Sequence, residues 1–171
     1  FSVSFRKQNF YDVDRVVGAA NMFDILPSGV VPDIELDQAL AGARDRARED
    51  FLRLPCSLGR SSVLSVLGRL GKPSLKQKVR HRARSIVDVA DDLFPELQLV
   101  LDEAVNCRNH YVHGSEHKIA YNENFHCIMF FVDSLEFVFA VSDLVDAGWD
   151  FDKWRRRSST ASHPFSQYRF G

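Results

Sequence analysis

Along most of this chain apolar residues recur at intervals of three and four, the interval at which a helix returns to the same face. From Asn9 to Leu26 the positions Phe10, Val13, Val16, Val17, Ala20 and Phe23 keep that spacing, and Pro27-Ser28-Gly29 stops it. A loop runs to Asp33, and a second helix is expected from about Glu35 to Leu54, with Leu36, Leu40, Ala43, Ala47, Phe51 and Leu54 inward and Pro55 closing it. Residues 59–70 predict a short helix built on Val63, Leu64, Val66, Leu67 and Leu70 and ended by Gly71. Pro73 opens another, with Leu75, Val79, Ile86 and Val87 beneath it. Between Phe125 and Val145 the chain is apolar nearly all round, which predicts a central buried helix or a face that a second copy covers. Only residues 1–7 alternate with a period of two, as Phe1, Val3 and Phe5 against Ser2, Ser4 and Arg6: a strand-like stub.

One further helix carries the polar residues that stand out. From Pro95 the apolar stripe runs Leu97, Leu101, Ala104, Arg108, Tyr111, so a guanidinium occupies a position where the pattern calls for an apolar side chain. Beside it Asp102, Asn106, Asn109 and His113 form a polar ridge, and Gly114 supplies the left-handed position that ends a helix. Taken singly, such an arginine often snorkels or pairs with a carboxylate, and a histidine in a last turn often complements terminal carbonyls. Three polar groups concentrated in Arg108-Asn109-His110-Tyr111-Val112-His113 need a common reason. At about 100° per residue Arg108 and His113 stand about 140° apart, so a single straight helix is not expected to aim both at one small atom. Either the helix loosens at its end, or a symmetry mate supplies the second half of one cleft across a twofold axis.

Composition narrows the setting. With 171 residues, 45% hydrophobic content and a formal net charge of −1, the chain has material for one globular core. No apolar run is long enough to span a bilayer and no secretory signal is present, so no membrane association is expected. The three cysteines, Cys56, Cys107 and Cys127, form no CxxC pair and suit a reduced, cytoplasmic setting. A start at Phe1 without an initiator Met is what a fragment of a longer chain would have, residues 1–8 being the remnant of an upstream domain. Positive charge is local: Lys76, Lys78, Arg80, His81, Arg82 and Arg84 cluster on one helix, and Lys153-Trp154-Arg155-Arg156-Arg157 opens a Ser-rich end. Lys76, Arg80, Arg84, Arg155 and Arg156 are therefore the candidates for gripping a nucleic-acid backbone, against the plainer alternative of a solvated face or docking tail. The glycines never fall at the spacing of a P-loop or dinucleotide fingerprint, so no nucleotide cofactor is expected.

The heptapeptide resembles the signature of the HEPN superfamily: Arg108, then the polar Asn109, three variable residues, and His113 followed by Gly114. The variant Arg-Asn-x-x-x-His-Gly, the preceding long helix and the Trp-containing end are similar to the ApeA-like HEPN branch of prokaryotic defence proteins. The resemblance implies an all-α fold, a HEPN-like helical bundle over residues 9–148 with a long motif-bearing helix, shorter additional helices and a basic, Trp-containing tail at 149–171. It also implies a metal-independent endoribonuclease with no cofactor, acting as a homodimer on RNA, tRNA or another cellular RNA, within anti-phage or abortive-infection defence. Arg108, Asn109 and His113 would be catalytic, with His110, Tyr111 and Asp102 as candidate support. The residue chemistry is compatible: an RNA 2′-hydroxyl is its own nucleophile, imidazole moves protons near neutrality, and a guanidinium stabilises a crowded phosphorane.

Two other readings compete. His110, His113 and His117 have a spacing that suggests a metal, but they straddle a helix end and a loop with no cysteine nearby. Alternatively the chain is a non-catalytic helical dimerisation or RNA-sensing module of a larger protein, with Arg108 and His113 as structural polar groups. A nuclease held latent until a signal reaches the upstream region is a third arrangement.

Overall fold

The computed structural model describes residues 12–116 and 118–156, together with Phe165 and Tyr168. The expected stub at 1–7, the start of the first helix at Asn9, His117 and most of the Ser-rich end lie outside the described residues. Among them the secondary structure is all helical, in seven segments: α1 Val13–Asp24, α2 Gln38–Arg53, α3 Leu58–Arg69, α4 Leu75–Ala90, α5 Leu97–His113, α6 Phe125–Asp146 and α7 Phe151–Arg155.

Chain contacts divide these elements into two units, one spanning Pro32–Ser74 and the other holding the residues on either side of it. The larger unit is a bundle in which α1, α4, α5 and α6 each pack against the other three. The predicted stripes meet there: Val16, Ala20 and Phe23 from α1, Val79, Ala83 and Ile86 from α4, Leu101 and Ala104 from α5, and Val132, Leu135 and Val138 from α6 are all buried. Alanines at the contacts let the backbones approach, and Phe23 sets its ring edge-on to Phe139 at 5.3 Å between centroids. Helix α6 is the inner helix that its apolar character predicts, but one flank stays open, with Phe125, Met129, Phe130 and Leu144 exposed.

Two charged contacts tie the bundle together from inside. Arg15, only 8% exposed, grips Glu136 through Nε at 2.9 Å and Nη2 at 2.8 Å, linking α1 to α6. Arg82, 5% exposed, donates from Nε to Ser142 Oγ at 2.9 Å and pairs with both Asp143 and Asp146, linking α4 to α6. At the C-terminal side, Phe151 and Trp154 stack, Trp149 packs at a tilt against both, and α7 packs on α4. The segment Trp149–Arg156, expected to begin a tail, is therefore part of the bundle.

The smaller unit pairs α2 with α3. Neither helix contains a fully buried residue, contrary to the inward face expected of Leu36, Leu40, Ala43, Ala47, Phe51 and Leu54. Leu40 is 43% exposed and Leu54 51%, because one helix shields only one strip of its partner. Its ends are stitched by Ile34 N–H to the Gly71 carbonyl at 2.7 Å and by Lys72 with Asp33 at 2.5 Å. Gly71 is in the left-handed region at φ +84°, and a side chain there would meet the Ile34 carbonyl.

Candidate active site

Helix α5 brings the polar heptapeptide to its C-terminal end. Pro95 lies just before the N-cap residue Glu96 rather than within the first turn, and Gly114, at φ 66°, closes the helix with its N–H on the His110 carbonyl at 2.9 Å. Leu97, Leu101 and Ala104 of the predicted stripe are buried, while Arg108 and Tyr111 are half-buried at the rim of the bundle and His113 is exposed.

Arg108 and His113 meet within a single chain, which corrects the expectation from helical angles. Arg108 Nη1 donates to His113 Nε2 at 2.9 Å and to Asn109 Oδ1 at 3.0 Å. The arginine's flexible stem and the lean of helical side chains toward the N-terminus close a gap that backbone angles alone leave open. Because a guanidinium has no acceptor, it is the donor in this contact and His113 Nε2 offers its lone pair.

The other edge of Arg108 is held by a residue that the sequence did not single out. Asn21, on α1, accepts from Arg108 Nε at 3.3 Å and from Nη2 at 3.0 Å through the same Oδ1. The one local sign of it is a carboxamide set in the apolar run Ala19-Ala20-Asn21-Met22-Phe23. Four of the guanidinium's five N–H groups are thus engaged, all by uncharged acceptors. Arg15, Arg80, Arg82 and Arg155, by contrast, all face carboxylates. Among the described residues no carboxylate lies within ion-pairing distance of Arg108, so its charge is available to an incoming anion.

The remaining residues of the motif serve the loop that follows. The Ser115 carbonyl accepts from His110 Nδ1 at 2.9 Å, and Tyr111 donates its hydroxyl to Asn122 Oδ1 at 3.0 Å. Tyr121 is fully buried in the segment between α5 and α6, packs near both His110 and Tyr111, and donates to Glu103 Oε1 at 2.5 Å. Glu103 Oε2 accepts from Asn106 Nδ2 at 3.0 Å, and Asn106 Oδ1 accepts from Lys76 Nζ at 3.0 Å. Burial raises the Tyr121 hydroxyl above its ordinary range, helped by its bond to Glu103, and burial likewise raises Tyr111. Beneath them the buried Cys107 thiol is pushed up to about 12 by burial, then by the charge of Glu103. His110 and Tyr111 therefore hold Ser115 and Asn122 to α5, and neither bond involves Arg108 or His113.

Asp102 does not join the cluster either: its carboxylate is gripped by Arg80, through Nε at 2.8 Å and through Nη2. The cationic stripe is largely engaged in the same way. Lys76 is bonded to Asn106 and Lys78 to Asp24, Arg82 is internal, Arg155 is shared by Asp92 and Asp152, and Arg156 reaches Asp152 at 2.7 Å. Arg84 is exposed and forms no ion pair among the described residues. Among those residues no cluster of three or more His, Cys, Asp or Glu side chains is placed to hold a metal ion, and no helix is long and apolar enough to cross a membrane.

Neither the curated proteins nor the solved structures contain a match to this chain. The family model described as Apea-like HEPN matches residues 17–153, a span that includes α1 from Val17 onward with Asn21, the whole of α5 and its closing glycine, and the first three residues of α7. An all-helical bundle that presents Arg-Asn-x-x-x-His-Gly at the end of its motif helix, matched over most of its length, is a member of the Apea-like HEPN family.

Proposed function

We propose that this domain is an endoribonuclease that cuts RNA through the substrate's own 2′-hydroxyl, leaving a 2′,3′-cyclic phosphate and a 5′-hydroxyl. The observation that carries the proposal is the 2.9 Å contact between Arg108 Nη1 and His113 Nε2 at an open helix end, with no carboxylate neutralising the cation. In the free protein the guanidinium occupies the lone pair of the base. A phosphodiester competes for the same N–H with two charged oxygens, and a charge-assisted, two-point contact is the stronger one. Exchange of imidazole for phosphate therefore seats the scissile group and frees Nε2 in one step.

The 2′-hydroxyl then gives its proton to His113 Nε2 while O2′ bonds to phosphorus. The bond from phosphorus to O5′ breaks, and the departing O5′ takes a proton from a second donor. Arg108 stabilises the negative charge that gathers on the non-bridging oxygens. Asn109 keeps Nη1 directed at the reacting side. In a homodimer with two helix ends facing across a twofold axis, a second imidazole supplies the leaving-group proton, and the exposed Phe125, Met129 and Val112 offer apolar surface for such a pairing. RNA as substrate, homodimeric action, metal independence and a role in anti-phage or abortive-infection defence belong to this proposal, as does the phosphate-gripping role of Arg84 with Lys76, Arg80, Arg155 and Arg156; the surface ion pairs of Arg80, Arg155 and Arg156 are weak enough for phosphate to displace.

Arg108→Ala and His113→Ala test the proposal directly. Each is expected to keep the helical content and oligomeric state of the parent and to lower RNA cleavage by about 1,000-fold or more. A variant of either kind that cleaves at the parental rate overturns the proposal. Parental protein that cleaves no RNA would favour the sensing-module alternative.

A further inference from the structure

We infer that Asn21 is a positioning residue for Arg108, and that its neutrality is what the site requires of it. The inference rests on the nuclease reading of the motif but concerns a residue outside it, 87 positions away in the chain. Among the described residues Asn21 Oδ1 is the only acceptor on the Nε edge of the guanidinium, and it takes two of the four N–H groups in use. With that edge fixed to α1, Nη1 is the nitrogen presented to His113 and Asn109. Without it, rotation about the side-chain bonds of Arg108 is restrained only at the end where phosphate must exchange with imidazole.

A carboxylate in that place would hold the same edge more tightly. That is how the bundle fixes its other internal arginines, Arg15 with Glu136 and Arg82 with Asp143 and Asp146. The carboxamide at 21 has the acceptor geometry of a carboxylate without its charge, so the cation is oriented and remains uncompensated for an anionic substrate. Asn21 lies inside α1, half-buried, and its backbone carbonyl accepts the helix-closing N–H of Ile25 at 3.3 Å, so the side chain is carried by a firm backbone.

Two substitutions separate orientation from charge. Asn21→Ala removes the acceptor and leaves the cation, so kcat on an RNA oligonucleotide is expected to fall about 10- to 100-fold, while Kd for an uncleavable, fully 2′-O-methylated oligonucleotide changes less than about threefold. Asn21→Asp retains the acceptor and adds a charge. It is expected to weaken binding of the methylated probe and to lower the slope of log Kd against log salt by roughly 0.7, one phosphate contact on a single strand. A purely structural role would lower the melting temperature of both variants and leave the probe's Kd and salt slope, per folded molecule, at parental values; that result overturns the inference. So does parental behaviour of both variants in cleavage and binding, with Arg108→Ala inactive, and in that case the nuclease reading survives alone. If the parent cleaves nothing, the nuclease reading fails, and the probe decides separately: a reduced salt slope in Asn21→Asp supports a neutral tether on an anion-binding arginine, and an unchanged slope, or no binding of the probe by the parent, refutes it.

Discussion

Arg108 would be costly to keep as a purely structural residue. A half-buried guanidinium without a counter-ion loses hydration that amide and imidazole acceptors restore only in part, whereas a neighbouring carboxylate would have restored more. Asn21, Asn109 and His113 hold the group without cancelling it, which is the environment that a residue awaiting an anion needs. Beneath the motif the chemistry runs the other way. Cys107 is fully buried and its thiol is pushed from an ordinary 9.0 up to about 12, so it stays protonated at neutral pH and is a poor nucleophile. Alkylation by iodoacetamide at pH 8 is expected to modify the exposed Cys56 and to leave Cys107 intact until the protein unfolds. The sign of the pH effect follows from the same shift. An unfolded chain releases the Cys107 proton above about 9, whereas the folded chain holds it to about 12, so stability is full below pH 9 and declines as pH rises through that interval; the raised Tyr121 acts in the same direction. Urea midpoints measured between pH 8 and 11 check this, and a midpoint that rises with pH would contradict it.

At the level of single elements, α4 shows how much of a cationic run is tied up inside the bundle. Its cations were expected to present a nucleic-acid face, yet Arg82 is directed inward and Lys76, Lys78 and Arg80 are each bonded to another helix of the bundle. Arg82→Met keeps the apolar stem and removes the charge. Asp143 and Asp146 remain about half exposed, so water takes over part of their solvation, and the expected loss is about 2 kcal/mol rather than the larger cost of opening a closed pair. That corresponds to a melting temperature lower by roughly 4 to 8 °C, and an unchanged melting temperature would show that Arg82 does not bind α4 to α6. Much of the fold was legible beforehand because α1, α4, α5 and α6 each bury one stripe, and stripes are written in local spacing. Gly114 ended α5 as a left-handed glycine should, and Arg108, Asn109 and His113 come together as their density suggested. What stayed hidden depends on other helices. Asn21 meets Arg108 across 87 residues, Tyr121 is buried by partners that its polar neighbours do not announce, and a charge run does not say which of its cations will find carboxylates. The angle between Arg108 and His113 misled for a local reason, since it describes Cα positions and neglects the reach of an arginine.

For the whole molecule, one compact bundle carries every element of the proposed site: α1 supplies the tether, α5 the motif, and the anchored loop after Gly114 fixes the helix end at which substrate would arrive. His110 with Ser115, Tyr111 with Asn122 and Tyr121 with Glu103 tie the loop to α5 at three points, next to the helix end where the cation and the base lie 2.9 Å apart. Membership of the Apea-like HEPN family makes a nuclease the expected activity, and the geometry around Arg108 says how such an activity would operate here. The most direct test is the chemistry of the cut ends. Single-stranded RNA incubated with the protein in excess EDTA is expected to yield fragments ending in 2′,3′-cyclic phosphate and beginning with 5′-hydroxyl, and no cut where the 2′-hydroxyl is methylated. Fragments with 5′-phosphate ends, cleavage at methylated positions, or activity that EDTA abolishes would contradict the account.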